Sequence, residues 1–311
     1  MPDGWEAKLV MVDDRSPCDI YKAGDANIMQ WFEKAYSEAG AIKFCQRIIH
    51  EGYVLPILTS IALAVLAEMY TTTSGAQSKQ RRVRLKYRSS PIADFGIAKG
   101  SAVVTGEDKL AYYRMSDGSI THGQDPDDHY WLYFTTIRGE DLILDLSMFT
   151  FNMCSMVHLK GYVDIPEIQH IIAVVPAYFQ ERVVRINTPP LHKERMRISV
   201  LRNNALHDAI VHTHHRTIYP EDEAPIISFM EKLAGRKVTA AEKKLAFALT
   251  ADHCEALGET LKERRWTKYP AAPLLAIDSD PGEMDPEAIA RFNMKEPKVK
   301  KKKSKTNTVS V

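Results

Sequence analysis

Two residues in one short stretch have the types and the spacing to do chemistry together. The segment HYWLYFTTIRGEDLILDLS runs from His129 to Ser147 and carries Asp145 near its end. A carboxylate that holds an imidazole fixes its tautomer and stabilises the imidazolium formed when the ring takes a proton from a nucleophile. Between the two residues, Tyr130 to Thr136 and Leu142 to Leu146 read as strands, and Arg138–Gly139 supplies a turn. A three-residue loop with a bulge at Gly139 puts His129 and Asp145 on one face, one pair apart along the diagonal. A two-residue loop puts them on opposite faces. The same residues also occur simply as the first and last positions of strands.

The run of His129, Trp131, an apolar strand, Gly139, a second apolar strand, Asp145 and Leu146–Ser147 resembles the second half of the active site in transglutaminase-like proteins of the papain-like cysteine-protease class. The resemblance covers about twenty residues closely and residues 26–160 in outline. It implies acyl transfer or amide hydrolysis, with His129 as general base, Asp145 as its orienting carboxylate and a Cys opening a buried central helix. The matching helix here, in GYVLPILTSIALAVL, has no Cys. Ser60 stands near the right end of it, where with Thr59 it also reads as an N-cap. Cys45 in the preceding helix and Cys154 after the Asp are the other candidates. A fold that persists without the chemistry, as a binding or interaction module, is the competing expectation.

Other clusters point elsewhere. His207, His212, His214 and His215 in HDAIVHTHH have metal-binding side chains, but no fourth ligand is fixed and the stretch reads equally as an exposed strand or loop. A metal enzyme built on them is a third reading. No cofactor or bound metal is expected from the motifs: P-loop, GxGxxG, GxSxG, HExxH and CxxC patterns are all missing. The strand RRVRLKYRS puts four basic residues on one face, and KVKKKKSK is a lysine run suited to weak polyanion contact or nuclear import.

The elements that must position these groups can be read from periodicity. Ala26 to His50 reads as an amphipathic helix with Asp25 as N-cap, and Gly52 ends it. Ile57 to Tyr70 is apolar on nearly every side, which marks a helix buried all round. Strands are expected at KLVMV, at Val83–Leu85–Tyr87, around Ala102–Thr105, at IIAVVPAYF, ERVVRI and RMRISVL, with THGQDPDDH and NTPP as a loop and a turn. Glu221–Leu233 and Thr239–Lys262 read as helices, the second opened by a Thr239/Glu242 capping box. The expected class is α+β, transglutaminase-like (papain-like): N-terminal helices on a mainly antiparallel sheet, with C-terminal helices. The expected divisions are a core over 1–220, a helical region over 221–277 and a disordered Lys-rich tail over 278–311.

The chain has 311 residues and a net charge of +1, but from Lys295 onward the tail carries +6, leaving −5 on the rest. A mildly acidic body argues against a nucleic-acid-binding face spread over the fold. Four scattered cysteines and an acidic start without a long apolar run point to a reducing cytoplasm. Tyr53–Ala67 is uncharged over fifteen residues, short of the roughly 20 that span a bilayer. No membrane association is expected. The partner class is a protein or peptide, or an amide substrate.

Overall fold

The computed structural model describes residues 4–12, 38–70, 84–151, 155–162, 174–181, 191–210, 218–271 and 274–276. Strand β1 (Lys8–Val12) is followed by helix α1 (Glu38–His50), which ends where Gly52 takes a φ of +79°. Helix α2 (Val54–Val65) continues into a π-helical turn, Leu66–Tyr70. The strands β2 (Lys86–Tyr87), β3 (Ser90–Ala102), β4 (Leu110–Arg114), β5 (Ile120–His122), β6 (His129–Thr136) and β7 (Asp141–Asp145) come next. After a 3-10 turn, Met148–Phe151, come β8 (Ser155–His158), β9 (Val174–Glu181) and β10 (His192–Ser199). Helices α3 (Asn204–Ile210), α4 (Pro220–Ala234) and α5 (Ala240–Lys262) precede the short β11 (Leu275–Ala276).

The main sheet is antiparallel in the order β10-β3-β6-β7-β9-β8-β11, with β2 folded back on β3. A smaller sheet sets β1 parallel to β4, and β4 antiparallel to β5. The class is therefore mixed helix and sheet with mainly antiparallel strands. Strand β6 is central and its two faces serve different cores. Tyr130, Leu132 and Phe134 join the large core made with α2, α4 and α5, while Trp131 and Tyr133 pack with Ala98 and Ile143 on the other face. This alternation is the period-2 geometry of a strand. It fixes which side of the sheet each functional group occupies.

Helix α2 is apolar all round because the core closes on it from most sides. Leu58, Ala62, Leu63 and Leu66 are essentially inaccessible, and the helix packs against α5. The helices after residue 220 thus complete the core that the earlier residues begin. The Thr239/Glu242 capping box is formed: Glu242 N donates to the Thr239 hydroxyl, and Thr239 N donates to the Glu242 carboxylate. Among the described residues no single helix is long and apolar enough to cross a membrane. Lys43–His50 and Val54–Tyr70 pass such a test only together, and they meet at 95°.

Several elements differ from expectation. The strand expected around Ala102–Thr105 lies earlier, over Ser90–Ala102. Its sequence, SPIADFGIAKGSA, is poor in strand formers because β10 runs unusually close. A Cβ on Gly96 would stand 2.1 Å from the Ile198 carbonyl oxygen, and one on Gly100 would stand 2.1 Å from that of Lys193. Of the basic strand, the described residues pair only over Lys86–Tyr87, and Arg88 turns the chain with a φ of 52°. Thr121 and His122, expected as loop, belong to β5, which pairs with β4. His207, read as strand or loop, lies on α3. Helix α2 starts at Val54, so Thr59 and Ser60 fall mid-helix and are not its N-cap. Asp25, residues 26–37, Cys18, Val83, Cys154, His212, His214, His215, the RVVRI that follows Glu181, NTPP and the Lys-rich tail lie outside the described residues.

Candidate functional site

The β6–β7 hairpin takes the three-residue loop. Gly139, at a φ of +79°, donates its N–H to Thr136 O, and Thr136 N donates to Glu140 O. Leu132 pairs with Leu144, which sets Asp145 opposite Trp131 and diagonal to His129 on the same face. The side chains meet: His129 Nε2 lies 2.6 Å from Asp145 Oδ2. Both are fully buried.

A third residue joins them that sequence reasoning missed. His192, at the start of β10, brings its Nε2 to 2.7 Å from the same Oδ2. Its ring also stands edge-on to Trp131 at 4.8 Å. Room for this cluster comes from β3, whose Ala98, Gly100 and Ala102 present little or no side chain on this face. A Cβ on Gly100 would fall 2.8 Å from Trp131 Cη2. The sequence held one usable hint, a lone His opening a strand-like run directly after Pro-Pro-Leu.

The other oxygen of Asp145 is held by its own turn. Ser147 N and Met148 N each donate to Oδ1 at 2.8 Å, and the Ser147 hydroxyl lies 2.9 Å away. Both oxygens are therefore satisfied in a dry environment, as a buried carboxylate requires. Burial alone would push the Asp145 carboxyl up. The facing imidazoles of His129 and His192 outweigh it and hold the group below the usual carboxylate range.

The rest of the imidazole is less well provided for. His129 Nδ1, the nitrogen that would accept a nucleophile's proton, is buried and has no hydrogen-bond partner among the described residues. Its ring neighbours are Phe151 at 5.3 Å, Trp131 at 6.0 Å and His192 at 5.9 Å between centroids. The indole N–H of Trp131 is likewise buried without a partner.

Ser60 is brought to a different place. It belongs to α2, which packs on the Tyr130–Leu132–Phe134 face, whereas His129 shares the Trp131 face. Its hydroxyl lies 2.7 Å from Ile57 O and 3.1 Å from His253 Nδ1 on α5. Burial pushes the His253 imidazole below its ordinary range, with Asp252 opposing. His253 lines an apolar pocket of about 600 Å³ with Ile49, His50, Tyr53, Ile57 and Leu245. Cys45 is exposed on α1, and Cys254 is buried in the core. His207 Nε2 is spent on Leu201 O at 2.7 Å.

Comparison with protein-family models, with curated proteins and with solved structures finds no match for the chain.

Proposed function

We propose that this chain is a catalytically inactive module of the transglutaminase-like kind, acting by binding a protein or peptide partner, with its His–Asp hairpin kept as a structural clasp. One observation carries this reading. The helix that the resemblance assigns to the nucleophile packs against the opposite face of the sheet from His129, so Ser60 has its hydroxyl on His253 and not on the His–Asp pair. The unpartnered Nδ1 of His129 supports it from the other side: among the described residues, the atom that would act as base has no hydroxyl or thiol to deprotonate. What remains is a fully hydrogen-bonded carboxylate that ties the ends of β6, β7 and β10 together. The Lys-rich tail, with its +6 charge, adds weak contact with polyanions to this role.

The test is enzymatic. Chelator-treated protein is assayed for hydrolysis of activated esters and amides, and for amine incorporation into glutamine peptides. Rates at the buffer background, unchanged by His129→Ala, are expected. A rate above background that His129→Ala abolishes would overturn the reading and restore the acyl-transfer enzyme, with its nucleophile then to be found by covalent trapping.

A further inference from the structure

We infer that His129, Asp145 and His192 form a binding site for a divalent transition-metal ion of the zinc or ferrous class. The inference rests on the reading above in one respect: the imidazole of His129 is not engaged as the base for a side-chain nucleophile. Three donor atoms, two Nε2 and one carboxylate oxygen, converge from the ends of three strands and lie within 4.8 Å of one another. Among the described residues this is where histidine, cysteine and carboxylate groups gather in a metal-sized cluster. Two imidazoles and one carboxylate are a donor set of borderline hardness, suited to Zn²⁺ or Fe²⁺ and poorly suited to Ca²⁺ or Mg²⁺.

Donor accounting supplies the second argument. Without a metal, His129 bonds to Asp145 through an Nε2–H, which leaves Nδ1 as a bare lone pair. That lone pair is buried, has no donor to accept from among the described residues, and belongs to a ring with Phe151, Trp131 and His192 as neighbours. Aromatic rings accept N–H groups weakly and offer nothing to a lone pair. Moving the proton to Nδ1 removes the mismatch and turns the Nε2 lone pair toward Asp145 Oδ2. Two electron-rich atoms then face each other across 2.6 Å, and a cation between them, a proton or a metal ion, makes that arrangement favourable. A metal ion meets this need at His129 and can take His192 Nε2, which lies on the same Asp145 Oδ2, as a second ligand.

The support for such an ion is already in place. Asp145 Oδ1 is oriented by Ser147 N, Met148 N and the Ser147 hydroxyl, the outer contacts that ligating carboxylates ordinarily have. Ligand bonds of about 2.0–2.2 Å around a tetrahedral ion separate the donors by roughly 3.3 Å. The present spacings of 2.6 and 2.7 Å therefore have to open by about 0.6–0.7 Å, which imidazole tilt can supply. Three protein donors leave the remaining position to a ligand from solution.

The full chain, stripped with chelator, is titrated with Zn²⁺, and in parallel with Co²⁺, whose visible spectrum reports coordination number and ligand type. One equivalent bound with micromolar or tighter affinity is expected, together with a rise in Tm. His192→Gln keeps a donor for Asp145 and removes an imidazole ligand, so it should fold and bind at least tenfold more weakly. A variant with His207, His212, His214 and His215 all changed to Ala should keep the tight equivalent. No binding tighter than millimolar overturns the inference, as does a tight equivalent lost in the fourfold variant and kept in His192→Gln. Neither result bears on the esterase and amidase assays, so the two readings fail separately.

Discussion

Gly100→Ala sets two physical effects against each other and lets the structure say which wins. Gly100 sits in ordinary strand geometry, so an Ala there has no conformational penalty and improves strand propensity. Its new methyl would nevertheless stand 2.1 Å from Lys193 O, 2.8 Å from Trp131 Cη2 and 2.9 Å from Glu194 Cα. Two of those three atoms are backbone and cannot swing aside. Strand β10 must move away by about 1 Å, at a cost near the top of the roughly 1–3 kcal/mol found for overpacking. Gly139 is the converse case: its φ of +79° disfavours a side chain, yet nothing lies within 4 Å of the added Cβ. Ala there should cost about 1–2 kcal/mol. Urea unfolding followed by tryptophan fluorescence and near-UV circular dichroism compares the two, with chelator present throughout. Gly100→Ala should be the more destabilised, and Gly96→Ala should behave like it, because its methyl meets Ile198 O at 2.1 Å. A Gly100→Ala variant within about 0.5 kcal/mol of the parent, or more stable than Gly139→Ala, would refute the close approach of β10 to β3 from which the cluster follows.

Three further outcomes are expected. Asp145→Asn should be tolerated better than Asp145→Ala: its oxygen still accepts from Ser147 N and Met148 N, and its amide hydrogens can serve two imidazoles protonated on Nδ1. Asp145→Ala strands four N–H groups and should cost about 3–5 kcal/mol; equal losses in urea melts would refute the donor accounting. Glu51 is pushed up to about 7 by burial, against a hydrogen bond from the Tyr112 hydroxyl and the charge of Arg47, which pull it down. Its folded value lies above its unfolded one, so the native state binds the proton more tightly and stability falls as pH rises from about 4.5 to 7, by at most roughly 3 kcal/mol. Glu51→Gln should flatten that slope, and urea midpoints at pH 5 and pH 8 that shift equally in both proteins would count against it. Ser60→Ala should cost no more than about 1.5 kcal/mol in thermal or urea melts, since Ser60 is a mid-helix hydroxyl whose partners are Ile57 O and His253; a loss several times larger would mean that the Ser60–His253 contact organises the core.

What the sequence revealed and what it hid divide along physical lines. The hairpin was readable because strand alternation and one glycine determine the face of every side chain, so the diagonal contact of His129 with Asp145 followed from a three-residue loop. Helices α4 and α5 were readable because apolar spacing and, for α5, the capping box are local signals. Strand β3 was not, since its small residues answer to β10, about a hundred positions away. Which side of the sheet α2 would take was equally hidden. A helix apolar on every face has no polar stripe to orient it, and its placement decides where Ser60 goes. His192 gave no sign of its partner, because nothing in a lone histidine specifies a carboxylate 47 residues earlier.

The all-apolar α2 has a consequence for the growing chain. Its partner α5 begins at Ala240, about 175 residues after α2 ends. At translation speeds of roughly 5–20 residues per second, some 10–35 seconds separate the emergence of the two helices. Throughout that interval a segment as oily as a short membrane anchor stands without the surface that will cover it. Its protection on the ribosome must come from the hairpin of β6 and β7, which emerges earlier, or from a chaperone that holds it. Production of this protein should therefore be limited by what happens to Val54–Tyr70 before residue 262 has been made, and shortening the chain within α5 should send it to aggregates and not to a smaller folded core.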